Sequence, residues 1–477
     1  MRKAAILACM VLGGCNLAPA FDRPPPPIAP AYPKTSPPEG QAVALASELS
    51  WQAFFRDARL QELVQTALER NRDLAQAYAR IEQARAQYRI QAADRLPTVD
   101  ANTSGTRARQ PLSALGASGA ALPEGAPDGV TFNQFSANVG VSAFELDLWG
   151  RVRNLSEAQR QRWLASVEGA RAFRLSLIAQ VAAAYFDIRA GEERIRLAER
   201  SLEGRREGVR IANLRLDAGV TSTVDYDQSV LLLTQAETEL AQIQLQTEQS
   251  RNLLDVLTGG PVTEPLPPPA SLSAQLVPIA PGLPSDLLTR RPDVLEAEYN
   301  LRAANADIGA ARAAFFPSIS LTGLFGFASN SLDALFNSGN RSWSFGGAGA
   351  LPIFDWGRRE GQLEVNRARA EELAAAYQRT VQGAFREVAD ALVARQRLAE
   401  QIESQTRTLE AQRRLARTAG LRYENGIAIY LEVLDAERNL FAAEQALIQL
   451  RATELQNAVT LYTALGGGLE PPVSPAE

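Results

Sequence analysis

The sequence predicts a mainly α-helical chain with a transmembrane β-barrel portion, in which long coiled-coil helices are tandemly duplicated and four β-strands are interspersed. Three observations predict it. Chemically matched segments recur at a nearly constant shift, apolar residues recur every seventh position along one long stretch, and two pairs of alternating runs have about the ten-residue length of a tilted membrane strand. The punctuation agrees, since the 33 glycines and 27 prolines of the 477 residues are strongly clustered, leaving long Ala-rich stretches uninterrupted.

The chain opens with Arg2 and Lys3, an apolar run from Ala4 to Leu12, and Leu12-Gly13-Gly14-Cys15. That run is too short to span a bilayer and has the layout of a secretory signal. Its Leu-Gly-Gly-Cys ending resembles a bacterial lipobox, which implies that residues 1–14 are removed and that Cys15 is acylated. Asn16 after it, by resemblance to bacterial lipoproteins, implies transport to the outer membrane. Residues 15–50 then read as an extended tether, with nine prolines between positions 19 and 38 that exclude helix.

The mature body is chemically sparse. There is no histidine, and the only cysteines are Cys9 and Cys15, so histidine-based triads, zinc sites and disulfide frameworks are excluded. No catalytic residue, metal or cofactor is expected. A net charge of -5 gives no attraction to phosphate backbones, so nucleic acid is not an expected partner. Beyond the signal no apolar run approaches the length of a membrane helix.

The repeat sets the architecture. Asn71-Arg72-Asp73-Leu74 matches Arg291-Pro292-Asp293-Val294, and Pro97 matches Pro317, at a shift of 220; Trp149-Gly150-Arg151 matches Trp356-Gly357-Arg358, and Asp217-Ala218-Gly219-Val220 matches Glu424-Asn425-Gly426-Ile427, at a shift of 207. The difference falls in a Gly/Ala/Pro-rich loop around residues 104–130. Copy one occupies 51–261 and copy two 285–466, with a Pro-rich link over 262–284 and a tail over 467–477. Each copy reads helix, two strands, very long helix, turn, helix.

The first very long helix is expected from Arg151 to Leu216. Val181, Ile188, Ile195, Leu202, Val209 and Leu216 form a heptad seam, with Ala184, Gly191, Ala198 and Ala212 three positions after most of them. Alternating large and small layers mark close helix approach. Copy two keeps Val388, Ile402, Leu409 and Tyr423 in register, with Arg395 an exception. Shorter helices are expected over 224–257 and 285–314.

Strands are expected at about 98–106, 132–148, 317–327 and 341–354. The third places Ile319, Leu321, Phe325 and Phe327 opposite Ser318, Ser320 and Thr322. Four strands cannot close a barrel, and open edges are not tolerated in lipid, so closure must come from other copies. Two, three or four copies would give eight, twelve or sixteen strands.

With these residues in view the chain resembles the TolC-like outer-membrane efflux factors, in their NodT/OprM-like lipoprotein branch, along nearly its whole length. The most specific stretch runs from Gly282-Leu-Pro-Ser-Asp286 and Arg290-Arg291-Pro292-Asp293 to Phe315-Phe316-Pro317; Asp147-Leu-Trp149-Gly-Arg151 and Phe354-Asp-Trp356-Gly-Arg358 are also typical. The resemblance implies a homotrimer with a shared 12-stranded barrel and an α-helical tunnel across the periplasm. It also implies docking to a periplasmic adaptor (membrane fusion) protein and an inner-membrane pump, resistance-nodulation-division type for drug efflux. Type I protein secretion is the alternative within that class, and a lipid-anchored periplasmic coiled-coil scaffold or adaptor the alternative outside it.

A conduit selects and gates instead of reacting, so the candidate residues sit where the long helices turn back. Beyond the two Gly-containing turns stand Asp225 and Asp227 in copy one and Glu432 and Asp435 in copy two, the last two sharing a helix face. The resemblance implies an aperture closed by acidic rings and Tyr/Arg contacts, with Glu432 and Asp435 on the motif positions and Asp225 on the equivalent repeat position; Asp227 and Tyr423 complete the candidate set. Ala428 departs from the family, whose members often carry a charged or polar residue there.

Overall fold

The computed structural model describes residues 16–32, 44–46, 49–111, 129–263, 276–280, 282 and 286–468. Cys15, the signal segment, most of the Pro-rich link and the tail from 469 lie outside the described residues. In chain order the elements are β1 (Ala44–Leu45), α1 (Trp51–Phe54), α2 (Ala58–Arg70), α3 (Arg72–Ala93), β2 (Val99–Pro111), β3 (Gly129–Leu146), α4 (Arg151–Asp217), α5 (Thr223–Thr258), β4 (Ile279–Ala280), α6 (Leu287–Arg290), α7 (Pro292–Ala313), β5 (Ser318–Ser329), β6 (Arg341–Ala350), α8 (Arg358–Glu424) and α9 (Tyr430–Ala464). The two very long helices, α4 and α8, have 67 residues each. No described helix is long and apolar enough to cross a membrane.

Four differences from the sequence expectation have physical causes. The 285–314 helix is split, because Arg291 precedes Pro292 and the proline ring drives it to φ -77°, ψ 121°. Strand β6 stops at Ala350 instead of 354: β5 begins at Ser318, opposite Ala350, and leaves Leu351–Phe354 with no strand beside it. Strands β2 and β3 run further toward their loop than 106 and 132, since their ladder continues to Pro111 opposite Gly129. A second, two-stranded sheet also exists, in which β1 from the tether pairs parallel with β4 from the link. Elements of two residues carry no periodicity for sequence reading to find.

The chain forms two compact units. The first comprises residues up to Arg23, Glu82–Leu164 and Tyr299–Ala375, and holds an antiparallel sheet in the order β2-β3-β5-β6. Among the described residues β2 and β6 have one neighbour each. Val139, Phe325 and Trp343 lie side by side across β3, β5 and β6 and are all exposed, an apolar row of the kind that faces lipid. At the foot of the sheet Trp149 stacks on Phe316 at 4.8 Å and donates its indole N–H to the Pro317 carbonyl at 2.8 Å. Arg151 forks onto the Glu145 carboxylate at 2.8 and 2.5 Å beside it.

The second unit comprises Pro24–Ile81, Ala165–Glu298 and Ala376–Glu477. The α4 seam is buried over part of its length: Val181 and Ile188 are fully covered, Leu202 is buried, and Ala184, Gly191, Ala198 and Ala212 are buried small layers, whereas Ile195, Val209 and Leu216 are half-buried. At Gly191 the approach is close, since a Cβ there would overlap the Thr247 hydroxyl of α5. Arg395, the exception in the α8 seam, donates to the Ile279 carbonyl of β4 at 3.1 Å, so it leaves the seam to hold the link. Asn71 and Arg291, matched in the repeat, do one job with different chemistry. Asn71 donates to the Leu257 carbonyl near the end of α5 (3.0 Å) and Arg291 to the Ala464 carbonyl at the end of α9 (3.1 Å). Near the chain's end Tyr462 stacks flat on Phe54 at 4.0 Å and donates to the Leu49 carbonyl.

The Gly191 contact yields a stability prediction. Gly191→Ala should cost about 1–3 kcal/mol through overpacking, read as a lowered thermal midpoint of the purified protein. Combining it with Thr247→Ala, which removes the overlapped hydroxyl, should recover part of that loss as a coupling energy in a double-mutant cycle.

Candidate functional site

The hairpin ends of the second unit are built alike. Each very long helix stops at a glycine in the left-handed region, Gly219 at φ 70° and Gly426 at φ 72°, a conformation that costs other residues a steric penalty. The Val220 N–H returns to the Arg215 carbonyl at 2.9 Å and the Ile427 N–H to the Arg422 carbonyl at 2.8 Å, closing the helix ends as Schellman motifs. The local sequence therefore fixes both turns and puts an arginine one turn before each.

The starts of the return helices differ. In α5, Ser222 and Asp225 form a reciprocal capping box: the Ser222 hydroxyl accepts from the Asp225 N–H at 3.3 Å, and the carboxylate accepts from the Ser222 N–H at 3.4 Å. The Thr221 hydroxyl also donates to that carboxylate at 2.5 Å. These hydrogen bonds, Thr221's first, hold the Asp225 carboxyl below its ordinary range, and the Arg215 charge adds to the effect. In α9 the N-cap residue is Ile429 and makes no side-chain cap, so Glu432 is left for another partner. It pairs with Arg422 across the turn at 3.2 Å. Asp435 pairs with Arg438 on its own helix at 3.1 Å, and Asp227 is exposed.

Tyr423 joins the two hairpins. Its hydroxyl accepts from the Arg215 guanidinium, which lies 5.6 Å from the ring centre, and its ring meets Tyr430 at 5.1 Å. Burial raises the Tyr430 phenol above its ordinary pKa, and Gly208 makes room for that hydroxyl, which a Cβ there would overlap. Of the five residues the sequence nominated, Tyr423 and Glu432 are thus drawn into one cluster through the second turn. Asp435 stands one helical turn beyond, Asp225 serves its own helix start, and Asp227 is exposed.

Sequence reasoning missed Arg215 and Arg422, the basic partners that give this cluster its connections. They are separated by 207 residues, the repeat shift itself, and that coincidence was the available signal. Among the described residues no group of carboxylates and thiols is arranged to hold a metal.

Duplicated hairpins of long helices, ended by charged turns and carried by a chain whose sheet, among the described residues, keeps two open edges and an exposed apolar row, define a barrel-forming channel. The chain belongs to the outer membrane efflux protein family, which matches residues 63–260 and 283–467. It is 42% identical over 466 residues to the antibiotic efflux pump outer membrane protein ArpC of Pseudomonas putida, covering 97% of this chain and 94% of that one. With the outer membrane protein OprJ of Pseudomonas aeruginosa it shares 41% identity over 476 residues, 98% and 97% of the two chains. The crystal structure of the open state of the Neisseria gonorrhoeae MtrE outer membrane channel superposes with a TM-score of 0.84 at 37% identity, over 96% of this chain and 99% of that one.

The protein is accordingly an outer-membrane efflux channel component. Its fold class, mainly helical with a few strands, is that of the outer-membrane channels that combine an α-helical tunnel with a β-barrel. The family is one of channel-forming proteins and not of enzymes, and its members work as components of efflux pumps.

The capping box gives a pH-dependent prediction. Because the folded pKa of Asp225 is depressed, its contribution is complete above the ordinary carboxylate pKa and is lost as pH falls through the depressed value. Asp225→Ala should speed amide exchange at the first turn of α5 at neutral pH, whereas Asp227→Ala should leave that turn unchanged, as measured by hydrogen-exchange mass spectrometry.

Proposed function

We propose that the protein is the lipid-anchored trimeric conduit of a tripartite pump that exports antibiotics and other small molecules. It would dock to a periplasmic adaptor (membrane fusion) protein and an inner-membrane pump of the resistance-nodulation-division type. The observation that carries this reading is the tie between hairpin ends, Arg215 on Tyr423 with Arg422 on Glu432 beside it. A conduit opened by a partner needs a constriction that is held by side chains at the helix turns and that can be released there. In this reading Tyr423 and Glu432 latch the resting aperture, while Asp225, Asp227 and Asp435 give its rim acidic charge. The antibiotic class of cargo is supported by the name and 42% identity of the Pseudomonas putida relative.

The anchor is supported by the residues that follow Cys15. Asn154 donates to the Asn16 side chain at 2.9 Å, Asn305 to the Pro19 carbonyl at 2.8 Å, and Arg302 lies 4.8 Å from the centre of the Phe21 ring. A lipid on Cys15 would therefore be attached one residue before a segment held against α4 and α7. Radiolabelled palmitate should enter the wild-type protein and not Cys15→Ala.

Two measurements test the channel reading. In planar bilayers Arg215→Ala with Tyr423→Phe should raise resting conductance several-fold, and Glu432→Gln with Asp435→Asn should reduce cation preference; unchanged conductance and selectivity would refute the aperture assignment. A deletion strain should gain susceptibility to several antibiotics, restored by the wild-type gene. Retained resistance combined with loss of a secreted protein would favour type I secretion.

A further inference from the structure

The ladder pairings sort the sheet's side chains onto two faces, because directly paired residues share a face and successive residues along a strand alternate. One face carries the row Ala101, Val139, Phe325 and Trp343 and, next to it, Thr103, Ala137, Phe327 and Arg341. The other carries Asn102, Asn138, Gly326 and Ser342, then Ser104, Ser136 and Ala328, with the Ser104 and Ser136 hydroxyls 2.7 Å apart. An apolar face backed by a hydroxyl and amide face is the alternation of a wall between lipid and water.

Charge is sorted the same way. Strands β2, β3, β5 and β6 hold three basic residues, Arg107, Arg109 and Arg341, and two acidic ones, Asp100 and Glu145. Arg107 lies opposite Asn133, Arg109 opposite Thr131 and Arg341 opposite Phe327, which puts all three arginines on the apolar face and at the loop end of the sheet. Asp100 lies opposite Gly140 and Glu145 opposite Ser320, on the polar face and at the end where the long helices begin. The three arginines are exposed, and no carboxylate among the described residues pairs with any of them. Asp333, the acid of the described 330–340 loop, is exposed too.

A cation on a lipid-facing wall is costly at mid-bilayer and tolerated at its margin, so these positions report depth. Arg107 is eight residues along β2 from Val99, about 27 Å of strand, or roughly 21 Å of height at a tilt of about 40°. Arg341, nine residues along β6 from Ala350, comes to roughly 23 Å. The apolar band of such a wall is about 25 Å tall, so both arginines stand at the margin away from the long helices, which is the outer leaflet's. Rings flank them there. Phe336 from the loop meets Phe327 edge to face at 5.5 Å and stays 70% exposed, and Trp343 follows Arg341 on the same face at 77% exposure.

We infer that Arg107, Arg109 and Arg341 bind the phosphates of an outer-leaflet glycolipid of the lipid A type, whose acyl chains lie along Phe336, Phe327 and Trp343. A guanidinium without a carboxylate partner presents its planar fork to phosphate, and the exposed rings just below it suit acyl chains descending from that phosphate. The proposal rests on the reading of the chain as part of a closed trimeric barrel, in which the edge carrying Arg341 and the edge carrying Arg107 and Arg109 both face the same leaflet. It adds the lipid that the outer end of the wall selects.

The probe is bisphosphorylated lipid A, titrated into the full-length protein in mild detergent and counted on the intact assembly by native mass spectrometry. Replacing the three arginines together, Arg107→Gln with Arg109→Gln and Arg341→Gln, should weaken lipid A binding about tenfold or more, while the matching lysine variant keeps most of it. Dephosphorylated lipid A should bind the wild type about tenfold more weakly than the bisphosphorylated form, and the glutamine variant should not distinguish the two. Asp100→Asn, on the other face, should leave lipid A binding unchanged. Arg341→Gln alone should cost about threefold and covers the case in which the triple variant fails to fold.

Equal binding of lipid A by wild type and glutamine variant overturns the site. Displacement of lipid A by millimolar inorganic phosphate, or equal affinity for phosphatidylglycerol, overturns the glycolipid assignment. A wild type that is trimeric by light scattering yet retains no lipid A overturns this proposal and leaves the barrel reading standing, whereas a monomeric wild type overturns the barrel reading beneath it.

Discussion

Much in this chain follows from two strands, β2 and β6, that among the described residues end a sheet with one neighbour each. Backbone N–H and C=O groups exposed to hydrocarbon cost several kcal/mol each, and a four-stranded sheet with open β2 and β6 presents a row of them. Such a sheet cannot exist in a membrane as a monomer. The assembly is therefore a requirement of backbone chemistry, and side-chain complementarity chooses only its register. The long helices inherit the consequence, because each chain enters the assembly through its sheet and leaves it as two hairpins that must repeat the same spacing.

Duplication answers that requirement economically, and the residues show how. Asn71 and Arg291 differ in charge and size, yet each reaches from the start of one helix to the last carbonyls of another, Leu257 and Ala464. What the two copies preserve is the bond that closes each helix pair, not the residue that makes it. The helix terminations are preserved more strictly, since Gly219 and Gly426 share a backbone conformation that few other residues accept.

Legibility followed the same division. The seam from Val181 to Leu216, the sheet-forming runs and both glycine turns were readable because periodicity and glycine geometry are local properties. Arg395 was misleading as a flaw in the seam, because its partner is the Ile279 carbonyl more than a hundred positions away. Strand β6 appeared longer in the sequence than in the chain because alternation reports which face a residue suits, while a strand exists only where another lies beside it. In the candidate site the carboxylates were visible and their arginines were not. Asp225 turned out to be committed to its own helix cap, which an Ser-x-x-Asp pattern announces, and Glu432 to Arg422, which no short pattern announces.

The energetics of those pairs bear on what the hairpin ends can do. Arg422 and Glu432 are 48% and 43% exposed, and an ion pair so placed contributes at most about 1 kcal/mol, less at high salt. The seam beneath is of another order, since buried layers such as Val181 and Ile188 contribute about 1.5–3 kcal/mol each. A helix seam with buried layers and turns closed by exposed pairs can change at the turns without unfolding. In the proposed trimeric aperture, releasing one such pair per subunit would ask a docking partner for only a few kcal/mol of differential binding, within the range that a protein interface supplies. In the proposed aperture the same weakness would make the resting state a matter of population, so that losing the Arg422–Glu432 pair or the Arg215 bond shifts an equilibrium without breaking the fold.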